Sequence, residues 1–180
     1  VRYIQLEKSR TRPPSPRYMF EIIEGAGIMY IYPIPTRGKS EVVEDEKLGI
    51  STMRHSTICI HSDKVGNLVE RVSQIKDKSL FLQIGHWTSF HSLEIEEKQV
   101  YIVKTFHDLF KLLQDFSTKK LVANYIVTSG LLNLPEEDRR EYISVLYALL
   151  GYTDFLILAD VGSRKETESL KKYCEEAIEI

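Results

Sequence analysis

The sequence predicts an α/β fold: a mainly parallel central sheet flanked by helices, with an antiparallel β-hairpin unit at the N-terminus. Three observations carry this. From Ser56 onward, strand-like runs alternate with helical apolar patterns, the rhythm of strand–helix–strand units. Asp154–Asp160 (DFLILAD) is apolar between its ends, as expected of a strand covered on both faces. Before Pro33, aromatic and β-branched residues come in short runs bounded by Gly and Pro, which favours strands joined by turns.

The elements follow in order. Val1–Lys8 (VRYIQLEK) reads as a short strand, and Ser9–Arg17 as a basic, Pro-rich turn. Tyr18–Ile23 and Ile28–Tyr32 are two further strand-like runs around Glu24-Gly25-Ala26-Gly27. Pro33–Met53 mixes charged clusters and prolines with little periodicity. The expected division is therefore antiparallel strands over 1–33, a linker over 34–55 and an α/β domain over 56–180.

Within that domain, the strand STICIH (Ser56–His61) precedes a helix whose apolar face is Val65, Leu68, Val69 and Val72. Ser79–Ile84 and Gln99–Lys104 are strands. Thr105 with Asp108 makes a capping box for a helix carrying Phe106, Leu109, Phe110 and Leu113. Leu121–Val127 is a third apolar strand. Pro135 opens a helix with Tyr142, Val145, Leu146, Leu149 and Leu150 on one face. After Asp154–Asp160, Ser163 and Glu166 cap a last helix, and Ala177–Ile180 adds an edge strand.

Composition narrows the function classes. A chain of 180 residues suggests one domain, or one with an appendage. With 43% hydrophobic and 28% charged residues, wholesale disorder is excluded. A net charge of −2 argues against coating nucleic acid with the whole surface. Cys59 and Cys174 stand too far apart in sequence to suggest a disulfide framework or a metal cluster. No apolar run approaches the roughly 20 residues that span a bilayer, and no signal-peptide pattern opens the chain. The expectation is a soluble, cytoplasmic protein without membrane contact.

The sharpest local string is Gly38-Lys39-Ser40, within Thr36–Ser40 and after the strand Ile28–Tyr32. Gly-Lys-Ser after a strand suggests a phosphate-binding loop, with Lys neutralising phosphate and Ser ligating magnesium. The full pattern needs Gly where Pro33 stands, and Pro35 lies inside the loop. Each proline deletes an N–H that the cradle requires. The helix expected next, EVVEDEK, would crowd acidic side chains near the phosphate. A charged linker with an accidental tripeptide is the plainer reading.

Asp160 ends a strand and is the carboxylate best placed to hold a metal through water. Its alternative is a strand-end residue capping a loop. Leu121–Val127 ends in Thr128-Ser129-Gly130, which supplies hydroxyls but no anionic charge. His86 and His91 lack a partner at zinc-ligand spacing before Glu94, and no Gly-x-Ser-x-Gly occurs. Trp87, in a loop outside a strand's carboxyl end, is a candidate contact residue. Residues 1–20 hold five Lys/Arg against the single acid Glu7, a local charge of +4. Arg10, Arg12 and Arg17 on this turn could reach a phosphate backbone or an acidic partner.

Two stretches then suggest a family. LEKSRTRPPSPRYMFEIIEGAGIMYIYP resembles the end of the core domain in archaeal KaiC/RadA-like ATPases of the RecA superfamily. The matching residues are Leu6, Lys8, Arg10, Phe20, Ile22, Gly27, Ile28, Tyr32 and Pro33. YIVTSGLLNLPEEDRREYISVLYALLGYTDFLILADVG is similar in rhythm to that fold's hydrolytic-site strand, long helix and following strand. The resemblance implies a RecA-like fold and an assembling habit. It also implies a degenerate site, because the phosphate loop is broken, Thr128 or Ser129 replaces the strand-terminal Asp, and the catalytic Glu has no counterpart.

The family's closing hairpin comes last, whereas here it comes first. With Val1 in place of Met, the resemblance implies either a permuted chain or residues 1–33 as the tail of a preceding domain. The hairpin is expected to extend the sheet beside Ala177–Ile180 or to dock on another subunit. The function expected is a non-hydrolysing RecA/KaiC-like domain that works by binding a protein partner, a second copy or DNA. The alternatives are an ATPase using ATP and magnesium at Thr36–Ser40 with Asp160, and a metal-dependent nuclease built on Asp160 and Lys165.

Overall fold

The computed structural model describes residues 2–4, 18–24, 27–31, 41–85, 90, 92–119 and 123–180. Its core is a six-stranded, all-parallel sheet. The strands are β6 (Ser56–Ser62), β7 (Ser79–Ile84), β8 (Val100–Val103), β9 (Ala123–Ser129), β10 (Thr153–Val161) and β11 (Glu176–Glu179). Their spatial order is β11-β6-β10-β9-β7-β8. The helices are α1 (Val65–Ser73), α2 (Phe106–Lys119), α3 (Glu136–Leu146) and α4 (Arg164–Lys171). The α/β expectation, with a mainly parallel sheet flanked by helices, is met.

Alternation of side chains along each strand divides the interior into two cores. Ile58, Ile60, Phe155, Ile157 and Val127 pack under Leu68 and Val72 of α1. Leu82, Ile126, Leu156 and Leu158 pack against Leu109 and Phe110 of α2, Val145 and Leu146 of α3, and Leu170 of α4. Every residue of β6 is buried, so this strand lies in the middle of both layers. A fully buried Leu, Ile or Phe contributes about 1.5–3 kcal/mol, which makes these two cores the main driving force.

The placement of the helices follows from chain direction. β6 leads through α1 toward β7, whereas β8, β9 and β10 lead back through α2, α3 and α4. Right-handed crossovers that run opposite ways along a sheet must lie on opposite faces. The adjacent strands β6 and β10 therefore send their connections to opposite sides. In open α/β sheets, this is where ligands gather, outside the carboxyl ends of the strands.

Local signals behaved as read at several places. Ser163 and Glu166 form a reciprocal capping box on α4. Asp108 Oδ2 accepts the Lys104 and Thr105 N–H groups, each at 2.9 Å. Pro135, expected at the first helical position, sits instead at the N-cap, one residue before α3 begins.

Three expectations need correction. The first is the linker over 34–55. Val42–Asp45 (β4) and Ile50–Met53 (β5) pair as an antiparallel hairpin, so EVVEDEK is strand and turn, not helix. The hairpin carries Leu48, 1% exposed, onto the α1-side core. Gly49 closes its turn at a φ of 65°, a left-handed conformation that suits glycine. Asp45 holds the turn by accepting the Leu48 N–H at 2.9 Å and the Tyr125 hydroxyl at 2.5 Å. Each face of β4 carries one valine and one acid, which hid the period-two pattern.

The second concerns the N-terminal strands. β1 (Arg2–Ile4), β2 (Tyr18–Ile23) and β3 (Gly27–Ile31) form a separate three-stranded antiparallel sheet, β1-β2-β3. β2 lies against α2, and β11 pairs with β6. The antiparallel unit is present, but it does not extend the central sheet beside Ala177–Ile180.

The third is the cysteine pair. Cys59 on β6 and Cys174, in the turn between α4 and β11, are joined by a disulfide. The 115-residue separation is closed because β11 returns to lie beside β6.

Candidate functional site

The carboxyl ends of β6, β10 and β9 meet where the connections diverge. β6 ends at Ser62 and α1 begins at Val65, so Asp63 and Lys64 alone make the connection. The Ser62 hydroxyl accepts the Lys64 N–H at 3.1 Å, and the Ser62 carbonyl accepts the Gly162 N–H at 3.1 Å. The β6–β10 ladder is thereby carried to the end of both strands.

Next to it, β9 runs into Gly130, whose φ of 101° turns the chain into a short 3-10 segment, Leu131–Asn133. Only glycine adopts that conformation readily. The segment folds back over the ends of the strands. Leu131 is fully buried, and Leu132 packs on Gly162 so closely that a Cβ there would lie 2.9 Å from Leu132 Cδ1.

Two polar side chains hold this segment from its two sides. Asp160, at the end of β10, accepts the Gly130 N–H through Oδ1 at 2.8 Å. Burial pushes the Asp160 carboxyl up to about 7, against the backbone N–H groups of Gly130, Leu131 and Leu132 and the charge of Arg139. From α3, Arg139 donates to the carbonyls of Leu131 at 3.2 Å, Leu132 at 3.4 Å and Leu134 at 3.1 Å. Its Nη1 also donates to Ser169 Oγ on α4 at 2.7 Å. The carboxyl engages the N–H side of the loop and the guanidinium its C=O side.

His61 is the β6 neighbour of Asp160 in register, and both are buried. Its Nε2 lies 3.9 Å from Glu179 of β11. Burial lowers the imidazole below its ordinary range, with Lys171 adding to the shift and Glu179 opposing it. Thr128 turns its hydroxyl back to the Ile157 carbonyl at 3.3 Å, and Ser129 is buried.

The candidate residues can now be placed. Asp160 Oδ1 faces the backbone of the loop that follows β9, the geometry of a loop-capping carboxyl. Lys165 is exposed on the first turn of α4. Among the described residues, no group of three His, Cys, Asp or Glu side chains is arranged to hold a metal ion. Gly38, Lys39, Ser40, Arg10, Arg12, Arg17 and Trp87 lie outside the described residues, as do His86 and His91. The element after Ser40 is strand β4, whereas a phosphate loop opens a helix. That corrects the expected helical context of Gly38-Lys39-Ser40.

Sequence reading missed Arg139 and the Leu131–Asn133 turn. Arg139 sits in EEDRREY, which reads as a solvated helical face. Gly130 after a strand was the one local signal of a special turn. A shallow depression of about 250 Å³ lies elsewhere, between α1 and the chain end, lined by Asn67, Glu70, Arg71, Gln74 and Ile180.

Neither a protein-family model nor a curated protein matches the sequence. Among solved structures, the chain is similar to a prototypical ATPase from the type III secretion system of pathogenic bacteria. The TM-score is 0.55 at 10% identity, over 96% of this chain and 64% of that one. The chain thus shares an α/β fold with that ATPase, and it spans under two thirds of that ATPase's length. No helix among the described residues is long and apolar enough to cross a membrane.

Proposed function

We propose that this chain is a RecA-like domain that does not hydrolyse nucleotide and acts by binding, with a protein partner or a second copy as the ligand. The observation that carries the reading is the two-residue connection between β6 and α1. A GxxxxGK[ST] loop needs a longer span, in which successive N–H groups wrap the phosphates. The neighbouring space is occupied by Leu131 and Leu132, and Asp160 is engaged in holding them. Kinship to the KaiC/RadA-like branch, and a DNA contact through Arg10, Arg12 and Arg17, belong to the same proposal. So does a cytoplasmic location, although the Cys59–Cys174 disulfide favours an oxidising compartment.

The experiment is a calorimetric titration of the chain with magnesium-ATP. The expected result is no saturable heat. One-to-one binding in the micromolar range would favour the nucleotide-binding alternative and sink this reading.

A further inference from the structure

Cys59 sits in the middle of β6 and is 1% exposed, whereas Cys174 lies partly exposed in the turn after α4. Their disulfide uses both cysteines of the chain. What it fastens is β11, the four-residue strand at the edge of the central sheet. Three of these four residues are exposed, and Ile178 is the one that packs on the core.

The non-covalent hold on this strand is modest. Glu175 and Thr57 exchange two hydrogen bonds of 2.9 Å, one backbone and one through Glu175 Oε2. The Ile180 N–H reaches the His61 carbonyl at 3.1 Å. Glu179 lies 3.9 Å from His61 Nε2 and 3.8 Å from Lys171 Nζ, with its own side chain more than half exposed. With Glu179 this exposed and both separations about 4 Å, these pairs contribute little. On its inner side, β6 pairs with β10 over seven residues, against four with β11. The two edges of β6 are therefore held unequally, and the disulfide reinforces the weaker one.

We propose that the Cys59–Cys174 disulfide is a redox latch on the closing edge of the sheet: opened by a small thiol, it lets β11 leave β6 while the other five strands stay folded. The attack falls on Cys174, because Cys59 is out of reach of solvent. A thiolate RS⁻ bonds to Cys174 Sγ, and the Cys59–Cys174 bond breaks, leaving Cys59 as a thiolate that takes up a proton. A second thiolate then attacks the RS sulfur, releasing RSSR and the Cys174 thiolate, which is protonated in turn. The protein disulfide gains two electrons and the two thiols lose them. With β11 gone, the outer edge of β6 is a row of unpaired N–H and C=O groups, the template on which a foreign strand can add. The latch thus decides whether that edge is closed by its own chain.

The test is amide hydrogen exchange of the full chain, read by mass spectrometry with and without dithiothreitol. On reduction, peptides covering 174–180 and 56–62 should exchange at least about tenfold faster, while those of β9 and β10 stay protected. The variant Cys174→Ser, without thiol, should match the reduced wild type. Unchanged exchange at β11, or acceleration spread evenly over all strands, would overturn the latch. So would a non-reducing peptide map in which the two cysteines are not linked. Should Cys174→Ser fail to fold, the comparison of wild type with and without thiol still decides the matter.

Discussion

Asp160 is a carboxyl whose environment opposes its charge. Its folded-state value of about 7 stands well above the ordinary 3.8. A raised acid binds protons in the folded chain that the unfolded chain has already lost. Its contribution to stability is therefore fully present below about pH 4 and is lost as the pH rises through about 7. Asp160→Asn keeps an acceptor for the Gly130 N–H and removes the titration. Thermal melts at pH 5 and pH 8 should show this part of the pH dependence in the wild type and not in the variant. An identical pH slope in both proteins would mean the carboxyl is not the group responsible. Gly162 offers a second test at this scale. Gly162→Ala places a methyl group against Leu132 Cδ1 and should lower stability by about 1–3 kcal/mol in urea unfolding. Combining it with Leu132→Ala should cost less than the two single changes added together.

At the scale of elements, the β4–β5 hairpin shows why local reading reached only part of the fold. Val43 and Asp45 point inward and Val42 and Glu44 outward, but charge on both faces masked the alternation. What makes the hairpin is contact with distant residues: Tyr125 on β9 bonds Asp45, and Arg71 of α1 bonds the Leu48 carbonyl. Tyr125→Phe should therefore destabilise the fold by about 0.5–1.5 kcal/mol, with faster amide exchange over 41–53 than elsewhere. Uniform exchange across the chain would show that the bond does not anchor the hairpin. The capping boxes and the strand–helix rhythm, by contrast, were legible because each depends on residues two to four apart. For the basic segment Ser9–Arg17, the prediction rests on charge alone. Reversing Arg10, Arg12 and Arg17 should weaken any binding to nucleic acid or an acidic partner and flatten its salt dependence. Unchanged affinity and slope would remove this segment from the interaction.

For the whole molecule, the arrangement at the strand ends predicts a chain without ATPase turnover. Steady-state hydrolysis of magnesium-ATP should stay at the level of buffer. Turnover that disappears in Lys39→Ala would restore Gly38-Lys39-Ser40 as a phosphate site. The sequence by itself determined the class of fold, since period-two and period-3.6 patterns and their caps are written in neighbouring residues. It also marked Asp160 as a strand-end carboxylate, with a metal-holding or a loop-capping role left open. Only the tertiary structure decided their meaning. The strand order brings Gly130 and Arg139 to Asp160, Leu132 to Gly162, and Cys174 to Cys59 across 115 residues. Such pairings are set by which elements share a buried face, and no local propensity encodes that.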